Sequence, residues 1–285
     1  MIIRENFDIS DISYIKVGGI VKKLYEIDKI SELFLLENNF ICIGNTSKIL
    51  FAFNYLNKNI VKFKMNKIVY FNDSYFIYSG ATLSQIYNFL LEKNISGFEY
   101  IATIPGMLGG SIVNNASFLS QSISDNLIKI FVFDKNNFRW INKIDCKFAY
   151  RKSCLNKEDF IIVGAMFKIV KKDKKELIKS RKYADTYRLY HQNECKNTLG
   201  STFKNQDSLV IGKLLDELGL KGFRYSNNVK ISQNHANFIL VNNKTHYLEI
   251  YTFIDLLKRL LYYYLKKNIS LEINVITEDG KQRDN

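Results

Sequence analysis

The sequence is poor in proline, in histidine and in paired cysteines. Its 285 residues contain a single proline, which excludes a collagen-like chain or a proline-rich linker. The chain has three histidines and four cysteines, and no two cysteines form a C-x-x-C pair. His191 and Cys195 are four residues apart, but a second pair of ligands is missing, so we expect no metal site. Isolated cysteines are typical of reduced thiols in a cytosolic protein.

Long hydrophobic runs are missing as well. The longest apolar stretch, residues 160–167, is far shorter than the roughly 20 residues that a membrane-spanning helix needs. The first residues, 1–6, reach charged side chains too early for the apolar centre of a signal peptide. We therefore predict a cytoplasmic protein without a membrane partner.

The composition is typical of an ordinary folded protein of about two domains. Hydrophobic residues make up 47% of the chain and aromatic residues 14%, which excludes global disorder. The net charge of +13 attracts polyanions, although a lysine-rich proteome explains the same balance equally well. Since the sequence contains no recognition helix and no interleaved basic and aromatic strand motif, we predict no nucleic-acid partner.

Hydrophobic patterning predicts strands and helices along the whole chain. Predicted strands lie at residues 40–43, 67–70, 75–78, 127–133, 138–141, 160–170, 237–241 and 271–276. A capping box of Thr82 and Gln85 starts one helix, a second runs from about Ser208 to Gly219, and a third covers residues 248–267. The basic segment 168–182 is interpreted as a solvated helix or connector near a domain boundary. The predicted fold class is α+β.

A glycine-rich loop is the densest chemical motif. Residues 104–116 read Ile-Pro-Gly-Met-Leu-Gly-Gly-Ser-Ile-Val-Asn-Asn-Ala, and glycines let backbone amides approach the phosphates of a ligand. An ordinary tight turn has the same composition. A weaker loop of this type, residues 44–47, follows the strand at 40–43. Neither loop by itself identifies a ligand.

Two further motifs offer polar side chains for catalysis. Residues 200–205 read Gly-Ser-Thr-Phe-Lys-Asn, with a charge and an amide suited to phosphate or carboxylate. Because no Gly-x-Ser-x-Gly elbow surrounds Ser201, a hydrolase triad is a poor interpretation, and the hydroxyl can instead relay a proton or cap a turn. Residues 150–153 read Tyr-Arg-Lys-Ser, and Arg151 can bind a carboxylate in a fork or form a surface ion pair.

In this order, the motifs resemble those of the UDP-N-acetylenolpyruvoylglucosamine reductases, the flavoenzymes that complete UDP-N-acetylmuramate in peptidoglycan precursor synthesis. Residues 104–116 resemble the family's flavin loop, 150–153 its Tyr-Arg-x-Ser motif and 200–205 its Gly-Ser-x-Phe-Lys-Asn motif. Residues 212–222 and 232–238 are similar to its C-terminal domain. The resemblance extends from about residue 15 to residue 277.

The resemblance implies both the architecture and the ligands. Residues 1–178 would form an FAD-binding domain of the vanillyl-alcohol oxidase or PCMH type, and residues 179–285 a smaller α+β substrate domain. It implies FAD as cofactor, NADPH as reductant and a UDP-sugar substrate. We also expect a monomeric protein. The short interval between Arg151 and Ser201 resembles the class that lacks an inserted tyrosine-bearing loop.

The resemblance also assigns residue roles. Arg151 would stabilise the enolate that forms after hydride addition, and Ser201 would donate the proton to C2. The expected substrate contacts are Arg188, Lys204, Asn205 and Lys213. The expected flavin contacts are Gly44, Asn45, Thr46, Ser47, Lys48, Pro105, Gly106, Gly109, Gly110, Asn115 and Ala116.

The chain departs from the family pattern at two places. Asn274 aligns with the last catalytic glutamate of the family, and Glu272 precedes it by two residues, on the same face of a regular strand. We favour a working enzyme in which Glu272 supplies the acid. A substituting Asn274 amide, a catalytically impaired FAD or nucleotide binder, and another flavin oxidoreductase remain alternatives. In the first loop, residues 45–48 replace a glycine run and Ser-Asn, and Lys48 could compensate electrostatically.

Overall fold

Helices and strands are mixed along the chain, and this confirms the predicted α+β class. The structure, a computed structural model, describes residues 1–37, 39–134, 137–157, 160–192, 197–206, 209–242, 245–280 and 282–283. The strands are β1 (Ile2–Asp8), β2 (Ile20–Ile27), β3 (Phe40–Ile43), β4 (Ile49–Ala52), β5 (Tyr55–Phe63), β6 (Ile68–Tyr70), β7 (Ser74–Tyr78), β8 (Ser117–Phe118), β9 (Gln121–Ser122), β10 (Leu127–Asp134), β11 (Asn137–Asn142), β12 (Ile161–Lys168), β13 (Val229–Ile231), β14 (Ile239–Val241), β15 (Asn274–Thr277) and β16 (Gln282–Arg283).

The described residues also form five α-helices and several short 3₁₀ helices. The α-helices are α1 (Leu83–Glu92), α2 (Leu108–Val113), α3 (Lys174–His191), α4 (Ile211–Glu217) and α5 (Tyr247–Leu265). Short 3₁₀ helices lie at Ile9–Asp11, Ile30–Leu35, Ile101–Thr103, Lys143–Cys146 and Cys154–Lys157. One four-stranded sheet has the order β1-β2-β5-β3.

The backbone divides into two compact units, and both are discontinuous in the sequence. The first contains residues 1–3, 24–45 and 60–187. The second contains residues 4–23, 46–59 and 188–285. The assignment of residues 1–178 to flavin binding and of residues 179–285 to substrate binding concerns ligands, and it stays a prediction.

The first unit is built around an antiparallel sheet in the order β11-β10-β12-β7-β6. Its central strand β12 supplies Ile162 to the larger of two apolar clusters and Ile161 and Val163 to the smaller one. Both faces of β12 are therefore covered, which explains its continuous apolar sequence. The apolar residues of α1 and α2, including Ile86 and Leu108, pack into the larger cluster.

The second unit has its own core. Its main sheet has the order β16-β15-β4, in which β15 is parallel to β4 and antiparallel to β16. A separate hairpin joins β13 and β14. Helix α5 places Phe253, Leu257 and Leu261 in the core of this unit, because these residues recur on one face of the helix.

Most predicted elements form where the local sequence signals place them. The Thr82–Gln85 capping box is present at the start of α1, and Gly219 follows α4 with a φ of +73°. The basic segment at 168–182 lies largely in α3, as the interpretation of a solvated helix required. Helix α4 begins at Ile211, three residues later than predicted, and Ser208 lies outside the described residues.

The predicted strand at 271–276 was wrong at its start. Leu271 forms an isolated bridge to Phe203, and the regular strand β15 begins only at Asn274. Glu272 therefore lies before the strand, and the regular alternation that would place it on the same face as Asn274 is missing. Strands β1, β2, β4 and β5 were also not predicted from the sequence. Lysines or asparagines interrupt the apolar alternation of β1, β2 and β5, and β4 is only four residues long.

Candidate active site

The glycine-rich loop of the first unit is fixed to the segment that follows β7. The amide of Leu108 donates to the carbonyl of Ala81 at 2.9 Å, and the amide of Gly109 donates to the carbonyl of Ser79 at 3.0 Å. A Cβ added at Gly109 would lie 3.1 Å from the Cβ of Ser79. Gly109 is therefore needed for the close approach of two backbone segments.

Gly110 and Gly44 bring the two predicted loops of this unit together. A Cβ added at Gly44 would lie 3.7 Å from the Cβ of Met107 and 3.8 Å from the amide nitrogen of Gly110. A Cβ added at Gly110 itself would meet no described atom within 4 Å. Packing thus explains the glycine at position 109, whereas at position 110 it leaves open space that a ligand can use.

Asn115 adds a polar group to this loop. It has a φ of +42°, and its Nδ2 donates to the carbonyl of Ala149 at 2.9 Å. Its Oδ1 is buried and accepts no hydrogen bond from the described part of the chain. A buried acceptor of this kind is costly unless a partner satisfies it, so it fits a ligand with an N–H or O–H donor.

The Tyr-Arg-Lys-Ser motif forms a tight turn against the residues that follow α2. Arg151 has a φ of +51°, a conformation uncommon for residues other than glycine. Its Nη1 donates to the carbonyl of Ser117 at 2.9 Å and to the Ser117 hydroxyl at 3.1 Å. The Ser153 hydroxyl donates to the carbonyl of Val113 at 2.6 Å. The two bonds from Nη1 hold the guanidinium group against Ser117, and the Ser153 bond holds the turn.

The other flavin contacts predicted for this unit lie in or beside the same loop. The carbonyl of Gly106 accepts from Leu83 at 3.1 Å, and the amide of Ala116 donates to Ser111 at 2.8 Å. Pro105 and Asn45 are half-buried. The contact of these residues with a flavin stays a prediction.

In the second unit, the segment that carries Ser201 lies between two other chain segments. Ser201 forms a bridge to Phe238, and Phe203 forms one to Leu271. The side chain of Asn237 binds the backbone of Phe203, in the middle of this segment. Its Oδ1 accepts from the amide of Phe203 at 2.9 Å, and its Nδ2 donates to the Phe203 carbonyl at 2.8 Å. The backbone around Ser201 is therefore held on both sides.

Lys48 and Glu272 meet beside Ser201. The Nζ of Lys48 lies 2.8 Å from the Oε1 of Glu272 and donates to the carbonyl of Ser201 at 3.0 Å. The Glu272 side chain is only 7% exposed, and its amide donates to the carbonyl of Thr202 at 2.8 Å. Three residues that the sequence had assigned separately thus form one cluster.

Asn274 lies next to this cluster through its backbone. Its amide donates to the carbonyl of Lys48 at 2.8 Å, and it pairs with Ile49 at the start of the parallel β4–β15 ladder. The carboxylate of Glu272 is therefore connected to the Ser201 carbonyl through the ammonium of Lys48. Asn274 lies at the end of the β4–β15 ladder.

Thr46 keeps a left-handed turn in the first loop although it is not glycine. Its φ is +55°, its hydroxyl accepts from the amide of Tyr14 at 2.8 Å, and it is 3% exposed. The hydroxyl also donates to the carbonyl of Ile12 at 3.4 Å. These bonds offset the conformational cost, which explains how the loop dispenses with a glycine at this position.

The remaining predicted ligand contacts of the second unit are placed differently from one another. The Asn205 side chain accepts from the amide of Ile211 at 3.1 Å and so helps to start α4. Lys213 is exposed and lies 3.7 Å from Glu217. Lys204, Ser47 and Arg188 are half-buried, with Arg188 in the last turn of α3. The roles of all five toward ligands stay predictions.

His235 was not among the predicted site residues, although its motif, residues 235–238, had been noted. Its ring packs 4.2 Å from that of Phe238, and its Nδ1 accepts from the amide of Asn237 at 3.3 Å. Burial is the main cause that lowers its pKa; the charges of Lys221 and Lys48 lower the pKa further, and Glu272 opposes them. Asn237 was also not predicted as a site residue. Its side chain binds the backbone of Phe203, two residues after Ser201, and this tertiary contact has no local sequence signal.

Two further features of the described ranges concern metal ligands and membrane-spanning helices. No group of three or more histidine, cysteine, aspartate or glutamate side chains there could hold a metal ion. Cys195 lies outside the described residues. Among the helices that the structure describes, none is long and apolar enough to cross a membrane.

Comparison with known proteins identifies the family. A profile of the UDP-N-acetylenolpyruvoylglucosamine reductase C-terminal domain matches residues 191–276. The reductase of Fusobacterium nucleatum is 31% identical over 269 residues, which span 89% of this chain and 92% of the relative. The chain belongs to the UDP-N-acetylenolpyruvoylglucosamine reductase family. The reductase of Carboxydothermus hydrogenoformans is 30% identical and covers 92% of this chain and 90% of the relative.

A solved structure supports the same fold. The crystal structure of UDP-N-acetylenolpyruvylglucosamine reductase from Thermus caldophilus superposes with a TM-score of 0.84, 24% identity, and coverage of 96% of this chain and 99% of that one. Membership of the reductase family confirms the resemblance, the predicted fold and the class of FAD-dependent oxidoreductase that uses NADPH. The open space at Gly110 and the buried Asn115 acceptor fit a flavin in the first unit.

Proposed function

We propose that this chain reduces the enolpyruvyl group of UDP-N-acetylglucosamine enolpyruvate with NADPH to give UDP-N-acetylmuramate. The observation that carries this proposal is the segment at 200–205, which keeps the family's Gly-Ser-x-Phe-Lys-Asn sequence and is held by backbone bonds on both sides. Bound FAD supplies the hydride chemistry, which no side chain can perform. The chain itself must bind the anionic substrate, stabilise charge and deliver a proton.

Arg151 is proposed to stabilise the charge that develops on the substrate. Hydride addition at C3 leaves negative charge at C2, which is delocalised into the adjacent carboxylate. A guanidinium group remains charged when desolvated and binds carboxylate in a planar fork. The two bonds from Nη1 to Ser117 hold that fork in one orientation before substrate arrives, and preorganised charge of this kind lowers the barrier.

Ser201 is proposed to deliver the proton to C2. A hydroxyl can transfer a proton in the transition state when its position is fixed and a second group restores its proton afterwards. The backbone bridge to Phe238 and the bond from Lys48 to the Ser201 carbonyl provide the fixed position. The completed reaction is balanced by one hydride at C3 and one proton at C2.

Glu272 is proposed to take the place of the missing family glutamate. Its carboxylate is connected to the Ser201 backbone through Lys48, and its amide is bonded to Thr202. Glu272→Gln and Asn274→Glu, made separately, test the assignment. We expect the first to slow substrate reduction at least about tenfold and the second to change it less than about threefold. If Glu272→Gln leaves substrate reduction intact, Asn274 or another group takes this role.

Ligand contacts follow the same division. We propose that FAD is contacted by residues 44–48 and by Pro105, Gly106, Gly109, Gly110, Asn115 and Ala116, supported by the close approach of Gly44 to Gly110. Arg188, Lys204, Asn205 and Lys213 are proposed to contact the carboxylate or diphosphate of the substrate, supported by their charge and amide chemistry. A monomeric state and a cytoplasmic location complete the proposal; they rest on the sequence and the resemblance.

Ser201→Ala tests the function by separating its two half-reactions. Stopped-flow absorbance would follow flavin reduction by NADPH and flavin reoxidation by the enolpyruvyl sugar nucleotide. We expect near-normal reduction and reoxidation slowed by about 10²- to 10⁴-fold, since only the second half-reaction needs the proton. Equal losses in both would assign Ser201 a structural role. Protein that fails to hold flavin on reconstitution would argue against the whole proposal.

A second function is favoured by one observation, the amide at position 274 where the family has a carboxylate. A protein that binds flavin and the nucleotide sugar without turning it over would retain both ligands but show no reoxidation by substrate. The wild-type half-reaction therefore separates the two functions, and turnover decides for the reductase.

A further inference from the structure

The ammonium group of Lys48 is placed against the peptide that presents Ser201. It donates to the Ser201 carbonyl at 3.0 Å and lies 2.8 Å from Glu272 Oε1. A Cβ added at Gly200 would lie 3.2 Å from the same Nζ, and Gly200 has a φ of +71°. Glycine at this position therefore gives the ammonium the room to approach the peptide.

The backbone of Lys48 is held by the same segment that holds its side chain. The Lys48 carbonyl accepts from the amide of Asn274 at 2.8 Å, and the following residue, Ile49, pairs with Asn274 in the parallel ladder. Residues 272–274 thus contact both ends of Lys48. This double attachment leaves the long side chain little freedom, so its ammonium is a fixed rather than a mobile charge.

Burial makes the pair more than a surface ion pair. The Glu272 side chain is 7% exposed and that of Lys48 is 27% exposed. Exposed pairs contribute little because water screens them, whereas a buried partner left without its counter-charge is strongly unfavourable. Lys48 therefore supplies a counter-charge to a buried carboxylate beside Ser201, and it does so from the loop at 45–48 in which this chain departs from the family pattern.

We propose that Lys48 is a positioning residue for Ser201: its ammonium, fixed by Glu272, orients the Ser201 peptide and thereby the hydroxyl that protonates the substrate. The inference rests on the function proposed for Ser201 and deepens it. It gives the side chain of Lys48 a task of its own, and the flavin contact proposed for residues 44–48 is then made by the backbone at position 48. Because the carbonyl carbon and the side chain of Ser201 are attached to the same Cα, a shift of the backbone at this residue displaces the hydroxyl.

The test compares Lys48→Met, Glu272→Gln and the double variant in the flavin-loaded protein. For Lys48→Met we expect substrate-dependent reoxidation to slow by about 10- to 100-fold, because a displacement near 1 Å can cost about 10²-fold. NADPH-dependent reduction should change less than reoxidation does. In the Glu272→Gln background the same substitution should add less than about a twofold effect, since groups acting as one unit are not additive.

Two readouts do not depend on activity. Hydrogen exchange of the peptide covering residues 200–205 should be faster in Lys48→Met than in the wild type, and the Kd for FAD should stay within about threefold. The matched control is Arg259→Met, which removes a cation from an exposed pair with Asp255 at 2.8 Å in the same unit. The control should leave exchange, FAD affinity and both half-reactions unchanged.

The outcomes separate this inference from the proposed function. A large fall in FAD affinity, or equal slowing of both half-reactions, would overturn the positioning role and return Lys48 to flavin binding. Unchanged exchange at residues 200–205 would overturn it as well. If the wild type shows no reoxidation by substrate, the proposed function fails, while faster exchange in Lys48→Met would still support the contact between Lys48 and the Ser201 peptide.

Discussion

The turn that presents Arg151 and the segment that presents Ser201 solve the same problem in different ways. Arg151 adopts a left-handed backbone itself and is held by uncharged acceptors on Ser117. Ser201 follows a left-handed glycine, Gly200, and its peptide is held by an ammonium that a buried carboxylate fixes. Hydrogen bonds to neutral groups therefore hold the Arg151 side chain, whereas the Ser201 peptide is held by the charged group of Lys48, a residue at which the first loop departs from the family pattern.

Removal of the Arg151 guanidinium should produce the largest effect, a slower reoxidation by substrate. It tests the first of the two segments compared above. Arg151→Met is expected to slow reoxidation by substrate about 10²- to 10³-fold, roughly 3–4 kcal/mol, because the developing charge loses its partner. Arg151→Lys should recover little, since an ammonium cannot reproduce the fork. Stopped-flow half-reactions measure both, and the control is Arg139→Met, which removes an exposed arginine paired with the half-buried Asp134. Normal reoxidation in Arg151→Met would exclude the role.

The glycine loop sharpens the comparison by separating a folding requirement from a ligand requirement. Gly110→Leu should weaken FAD binding at least about tenfold, while the free energy of unfolding of the apoprotein stays equal or rises by about 0.5–1 kcal/mol, because Gly is a poor helix former. Gly109→Ala should instead destabilise the apoprotein by about 1–3 kcal/mol through contact with Ser79. Fluorescence titration with FAD and denaturant unfolding distinguish the two. Equal FAD affinity in Gly110→Leu would remove that glycine from the flavin site.

Thr46 tests whether a side chain can replace glycine in a left-handed turn. Thr46→Val keeps the shape and removes the hydroxyl, so the bonds to Tyr14 and Ile12 are lost. We expect the free energy of unfolding to fall by about 1–2 kcal/mol. Thr46→Gly loses the same bonds but is relieved of a left-handed strain of about 1–2 kcal/mol, so it should be nearly neutral. Chemical denaturation measures both, and a neutral Thr46→Val would show that the hydroxyl does not hold the turn.

His235 offers the smallest effect and a pH-dependent one. Burial lowers its pKa in the folded protein below the unfolded value of about 6.5, so the unfolded chain binds the proton first as the pH falls. Its contribution to stability is full above about pH 6.5 and is lost below that value, until the folded form is protonated too. His235→Gln should flatten this part of the stability curve, measured by denaturant midpoints from pH 7.5 to 5. A slope unchanged by the substitution would assign it to other groups.

Local sequence signals were sufficient where the structure is local. The capping box at Thr82 and the glycine after α4 concern residues three or four apart, so their geometry is set by neighbours in the chain. The hairpin of β6 and β7 follows from a short turn between two apolar runs. The start of β15 was predicted three residues too early because the apolar alternation of residues 271–273 serves a bridge to Phe203 rather than a regular strand.

The candidate site was predictable in its members more than in its connections. Ser201, Arg151 and Glu272 were proposed from motifs and from the family pattern, and their catalytic roles stay predictions. Asn237 and His235 were not proposed, because the local sequence at 235–238 does not reveal their tertiary contacts. Asn237 binds the backbone of Phe203, and His235 packs on Phe238. The pairing of Lys48 with Glu272 was invisible as well, since each residue had been assigned from its own loop.

The order of motifs in this chain determined its family, its mixed fold and the residue types available for catalysis, because these depend on composition and on spacing along one dimension. Which distant residues meet was decided by tertiary structure. The parallel pairing of β4 with β15 brings Lys48 to residues 272–274, and its ammonium reaches a carbonyl 153 positions away. Such a contact forms only after strands far apart in the chain have paired, and strand pairing depends on the burial of whole faces rather than on any local pattern.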